Sequence, residues 1–211
     1  MSDLLQAIPT PVKDALRPLY RRLRPSMAGE RPADLPSDDE KHATIVDYAD
    51  RYGCRALVET GTYEGGTVAA VRSRFERVYT IELNPELHRR AARRFRRDPS
   101  VQVIQGDSSE ELERLLPALD LPTLFWLDAH YSRGGAMSAR GRYDPPLTFE
   151  LGAILRLRDP RHVILIDDAR CLGAEDGWPT LEELERLVHD SELDLAVEVR
   201  RDLARVHRRT M

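Results

Sequence analysis

Apolar runs at 55–59, 77–81, 101–104, 123–127 and 162–166 alternate with helical segments near 66–75, 85–96, 109–116, 146–157 and 180–190. This alternation constrains the chain more than any other feature. Strands joined through a helix lie parallel, and their crossovers are right-handed. The last two strands break the pattern. Residues 194–199 and 203–207 are joined by Arg200-Arg201-Asp202, a turn short enough only for an antiparallel pair. The prediction is an α/β protein with a mostly parallel seven-stranded sheet, an antiparallel last strand and helices on both faces.

At 211 residues, with 41% hydrophobic and 32% charged residues, the chain suits one such domain plus a short extension. Ser37, with Glu40 three residues on, has the pattern of a capping box, and the helix it starts should end at Gly53. The domain is therefore expected over 37–211. Residues 1–36 form an arm with an amphipathic helix over 10–22, then a linker containing Pro25, Pro32 and Pro36. This arm is a candidate partner-binding or dimerisation surface, which allows a homodimer.

A net charge of −4 gives no overall attraction to nucleic acid. Cys54 and Cys171 are too few for a disulfide framework, so a reducing cytoplasm is expected. No apolar stretch approaches the ~20 residues of a membrane span, and the N-terminus has no signal-peptide pattern. Lys13 and Lys41 are the only lysines; the other 30 of 32 basic residues are arginine, which we read as genome composition. The run Arg89-Arg90, Arg93-Arg94, Arg96-Arg97 reads as a solvated helix face.

In open parallel sheets, ligands bind beyond the carboxyl ends of the strands. The first such end is Glu59-Thr60-Gly61-Thr62-Tyr63-Glu64-Gly65-Gly66, an acid followed by a glycine turn and a helix start. A turn of this kind usually takes a phosphate, but Glu59 and Glu64 crowd that place with negative charge. A positively charged ligand fits better, and S-adenosylmethionine carries a sulfonium and an ammonium. Glu82 ends the second strand and can accept both hydroxyls of a ribose. After the third strand, Asp107 could accept from an adenine amino group with Ser108 beside the ring. Each acid also has a plain alternative, since Glu82 or Asp107 could cap the helix that follows.

The fourth strand leads into Asp128-Ala129-His130 and the fifth into Asp167-Asp168. Neighbouring strands would bring three carboxylates onto one patch, where a hard cation such as Mg2+ would offset their repulsion. Alternatively, Asp128 supports the cofactor while Asp167 and Asp168 cap the next loop. His130 is a candidate general base, a fourth metal ligand, or a simple loop histidine. The irregular stretch 131–146 leaves the strand carrying Asp128 and should cover a substrate, with Arg133, Arg140 and Arg142 available to an anionic acceptor.

Together these residues resemble the class I S-adenosylmethionine-dependent methyltransferases, over about residues 40–208. Residues 59–65 look like their first motif, Glu82 like the ribose-binding acid and Asp107 like the adenine-side acid. Leu127-Asp128-Ala129-His130-Tyr131 with Ile166-Asp167-Asp168 resembles the metal-dependent O-methyltransferases of the catechol and macrocin type. The macrocin-type enzymes carry an aspartate where this chain has His130, and their interval between the two acid motifs is shorter.

The resemblance implies a Rossmann-like methyltransferase fold. It implies that Glu59, Gly61, Thr62, Tyr63, Gly65, Glu82, Asp107 and Ser108 hold S-adenosylmethionine. Asp128, Asp167 and Asp168 would hold Mg2+, and Asp128 with His130 would serve catalysis. The expected activity is O-methylation of a small-molecule hydroxyl, such as a sugar or secondary metabolite. The rivals are an oxidoreductase or other transferase using a different nucleotide, or a cofactor-binding module without activity.

Overall fold

The computed structural model describes residues 35–128 and 145–209. The 1–34 part of the arm, His130 and most of the 131–146 stretch lie outside the described residues.

Helix α1 (Asp38–Tyr52) begins at the expected capping box and stops at Gly53, whose φ of 69° is one that glycine adopts without strain. Strand β1 (Ala56–Thr60) follows, then the short α2 (Gly66–Val71), β2 (Arg77–Glu82), α3 (Pro85–Phe95), β3 (Val101–Gln105) and α4 (Ser108–Leu115). Next come β4 (Thr123–Leu127), α5 (Leu147–Leu155), β5 (Val163–Ile166), α6 (Leu181–Asp190), β6 (Leu195–Arg200) and β7 (Leu203–Arg208).

The strands form one seven-stranded sheet in the order β3-β2-β1-β4-β5-β7-β6. All pairs among β1 to β5 are parallel, and β7 runs antiparallel to both β5 and β6, as the sequence predicts. The hairpin turn is tighter than expected. Arg200 pairs with Leu203, leaving only Arg201 and Asp202 between the strands. Both have positive φ, 48° and 58°, the pattern of a type I′ turn that matches the strand twist.

Alternation along the central strands divides the core in two. Leu57, Leu124, Trp126, Val163 and Leu165 meet Ile45, Ala49, Val68, Val71 and Phe95 on one face, that of α1, α2 and α3. Val58, Phe125, Leu127, Ile164 and Ile166 meet Leu112, Leu151, Ile154 and Leu184 on the face of α4, α5 and α6. Fully burying one such side chain is worth ~1.5–3 kcal/mol, so β1, β4 and β5, buried on both faces, anchor the domain. The arginines of α3 are exposed, as a solvated face requires. Among the described residues, no helix is long and apolar enough to cross a membrane.

Candidate active site

The parallel ladder runs one residue past the strands, which levels their carboxyl ends. Asp128 N–H donates to Thr60 O at 3.1 Å, Asp167 N–H to Leu127 O at 3.1 Å, and Gly106 N–H to Glu82 O at 3.0 Å. The loops carrying the expected cofactor and acidic residues therefore leave the sheet along one edge.

The turn after β1 is built from positive φ angles at Gly61 (86°), Tyr63 (49°) and Gly65 (72°). Gly61 and Thr62 both donate their N–H groups to Ile81 O, which ties the turn to β2. At Gly65 a Cβ would lie 2.7 Å from Phe95 Cε2, so a bare backbone is required for α3 to pack there. Glu82 Oε2 accepts from Tyr63 N–H at 2.7 Å and Oε1 from Asn84 N–H at 2.8 Å. Burial raises its pKa, and the two backbone donors act against that shift. Glu82 is not the helix cap. That place is taken by Asn84, whose side chain accepts from Glu86 and Leu87.

Glu59 lies one residue inside the strand end, because β1 continues to Thr60. It points into the sheet face that carries Trp126 and Thr80, and Thr80 Oγ1 donates to it at 2.5 Å. Burial pushes its pKa up to about 8, with Asp128 and Glu82 adding to the rise. The carboxyl is therefore largely protonated near neutrality, so the negative charge expected from Glu59 is weaker than the sequence suggests. Thr62 is buried and bonded to Thr80, whereas Tyr63 is exposed.

Asp107 is the N-cap of α4, accepting from Ser109 N–H at 3.0 Å. The capping alternative is thus what the side chain does here. Ser108 is buried and its hydroxyl meets Glu150 from α5.

The acids after β4 and β5 are arranged differently from the expected triad. Among the described residues, the carboxylates whose oxygens lie within 4.8 Å of one another are Asp167, Asp168 and Asp202. Asp128 is outside that group, although its charge, after burial, raises the pKa of Asp167. Asp168, at a φ of 55°, lies instead beside Asp202 of the β6–β7 hairpin.

Two side-chain cations already serve these acids. Lys41 Nζ donates to Asp167 Oδ2 at 2.6 Å, and Asp167 Oδ1 accepts from Asp168 N–H at 2.8 Å. Arg170 Nη1 donates to Asp168 Oδ1 at 2.5 Å and also to Asp202 Oδ2. Burial disfavours the charge on Arg170, yet Asp168 and Asp202 raise its pKa overall. Both residues expected to hold a metal after β5 are thereby engaged by cations of the chain, so a divalent ion would have to displace them, although the oxygens of Asp167, Asp168 and Asp202 lie close enough together to hold one.

Sequence reasoning missed Lys41, Arg170, Asp202 and Glu150. Glu150 is 2% exposed and lines a small cavity with Asp128, Leu127, Leu147, Ile166 and Trp178. Burial pushes its pKa up to about 7, against the bond from Ser108. Its Oε1 and the neighbouring Thr60 Oγ1 are both fully buried. One signal was available for it, since an acid interrupts the otherwise apolar stripe Leu147, Leu151, Ile154. For Lys41 the signal was its rarity.

No protein-family model matches the sequence, and no curated protein matches it either. Solved structures do. A methyltransferase from Podospora anserina bound to S-adenosylhomocysteine matches with a TM-score of 0.56 at 16% identity, covering 96% of this chain and 89% of that one. An O-methyltransferase from Bacillus cereus, also with S-adenosylhomocysteine, matches with a TM-score of 0.55 at 16% identity, covering 98% and 94%. A sugar N-methyltransferase from Streptoalloteichus matches with a TM-score of 0.56 at 13% identity, covering 82% and 89%. The fold is that of class I S-adenosylmethionine-dependent methyltransferases. A fold of this kind serves several acceptor atoms, so it does not choose among them.

Proposed function

We propose that this chain is an S-adenosylmethionine-dependent methyltransferase that methylates a hydroxyl of a small molecule such as a sugar or secondary metabolite. The observation that carries the reading is Glu82. It sits at the end of β2, both oxygens held by backbone N–H groups of the β1 turn and of the α3 entry. A carboxylate has about four acceptor positions, so this clamp orients it and still leaves capacity for two ribose hydroxyls. Bound S-adenosylmethionine would supply a methyl group on a sulfonium, ready for in-line displacement.

The chain's own residues would do the rest. The turn at Gly61, Thr62, Tyr63 and Gly65 brings bare backbone up to the cofactor, with Glu59 beneath it. Asp107 and Ser108 border the adenine end. Asp128 stands between the two halves of the site and, with His130, takes the proton of the acceptor. Positioning supplies much of the acceleration in such a transfer. Magnesium has no step in this scheme, because Lys41 and Arg170 already engage Asp167 and Asp168.

Calorimetric titration with S-adenosylhomocysteine, and separately with NAD, tests the reading. The wild type and Asp168→Asn should bind S-adenosylhomocysteine alike, Glu82→Ala at least ~10-fold more weakly, and none of them NAD. Binding of NAD alone would favour the oxidoreductase rival, and unchanged affinity in Glu82→Ala would remove the residue from the cofactor site.

A further inference from the structure

Lys41 is the feature the scheme above leaves unexplained. It lies in the first turn of α1, and its position is fixed from three sides. Its N–H donates to Ser37 O at 3.0 Å inside the capping box, Glu40 beside it pairs with Arg201 of the β6–β7 turn at 2.7 Å, and its own Nζ reaches Asp167. The Lys41 side chain is 19% exposed and that of Asp167 only 4%. Asp167 is one of the three aspartates that the sequence assigns to a metal.

Residue type sharpens the point. The chain uses arginine for 30 of its 32 cationic residues, yet lysine stands here. An ammonium is a compact point charge with three donors, whereas a guanidinium is a planar fork suited to bidentate pairing. A point charge among carboxylates is what a small cation would provide. Asp168 and Asp202, which lie farther toward the hairpin, are served by Arg170 instead.

We infer that the Lys41 ammonium occupies the place of a divalent cation at the ends of β4 and β5, so that this site works with a built-in charge and excludes Mg2+. The inference rests on the methyltransferase reading for its meaning, but its test does not. Removing the ammonium should leave Asp167 without its cation and open to a metal.

The experiment compares Mg2+ binding by calorimetry and by thermal shift in wild type, Lys41→Met and Lys41→Gln. The glutamine variant keeps a donor for Asp167, and so guards against loss of fold in the methionine variant. Wild type should be silent. Both variants should gain a Mg2+ site, and at about ten times its Kd the ion should raise Tm by roughly 3–5 °C. Adding Asp167→Asn to Lys41→Met should abolish that gain. Mg2+ binding by wild type as tight as by the variants overturns the inference, and so does the absence of binding in folded variants. Binding of S-adenosylhomocysteine, measured on the same samples, tests the methyltransferase reading separately: its failure would leave the metal result standing.

Discussion

Glu150 occupies the apolar stripe of α5, where Leu147, Leu151 and Ile154 share its face. Its pKa rises from an ordinary 4.5 to about 7 because burial disfavours the charge. Between those values the folded chain holds a proton that the unfolded chain releases. Stability contributed by this group is therefore fullest below its unfolded pKa and falls as pH rises toward 7, at a total cost of about 3 kcal/mol. Glu150→Gln removes the titration. Urea unfolding should find the variant more stable than wild type by roughly 1–3 kcal/mol near neutral pH and above, with little difference near pH 4. A residual slope belongs to Glu59, Glu82 and Asp167, which are shifted in the same direction. At this scale, residues at strand ends were legible in the sequence, because topology alone assigns Glu59, Glu82, Asp107, Asp128, Asp167 and Asp168 to one edge. Their charge partners were not. Lys41 lies 126 positions from Asp167, and only tertiary structure brings them together.

The helices were legible because their ends are local chemistry. Ser37 with Glu40 forms the capping box expected of it, and Thr180 with Glu183 forms another. Asn84→Ala removes the acceptor for Glu86 and Leu87 N–H, which should cost ~1 kcal/mol and lower Tm by about 2–4 °C in a scanning calorimeter. Gly65→Ala should cost more, roughly 1–3 kcal/mol, since it adds a Cβ against Phe95 at a left-handed φ. It should also loosen S-adenosylhomocysteine, while Asn84→Ala leaves more of the turn intact. Boundaries were less legible than elements. The helix expected over 66–75 is α-helical only to Val71 and continues as a 3₁₀ turn over Arg72–Arg74. Asp107 shows the limit most clearly, because a cap and a cofactor acid have the same sequence signature.

Across the whole molecule, β1, β4 and β5 lie at the centre of the sheet and β3 and β6 at its edges. Every residue of the three central strands is buried, whereas in the edge strands all but Leu195 are partly buried or exposed. Native-state hydrogen exchange should accordingly be slowest in β1, β4 and β5, and approach the global unfolding free energy there. Faster exchange in β4 than in β3 would contradict this layering. The closing hairpin has one more effect. Strand β7 is inserted between β5 and β6, Tyr52 of α1 bonds His207 at 2.8 Å, and Arg201 reaches Glu40 beside Lys41. During synthesis, α1 leaves the ribosome early and waits for residues made some 150 positions later, at ~5–20 residues per second. The contact that holds Glu40 beside the Lys41–Asp167 pair thus forms only when the closing hairpin arrives, and an unfinished chain carries the β1 turn without it.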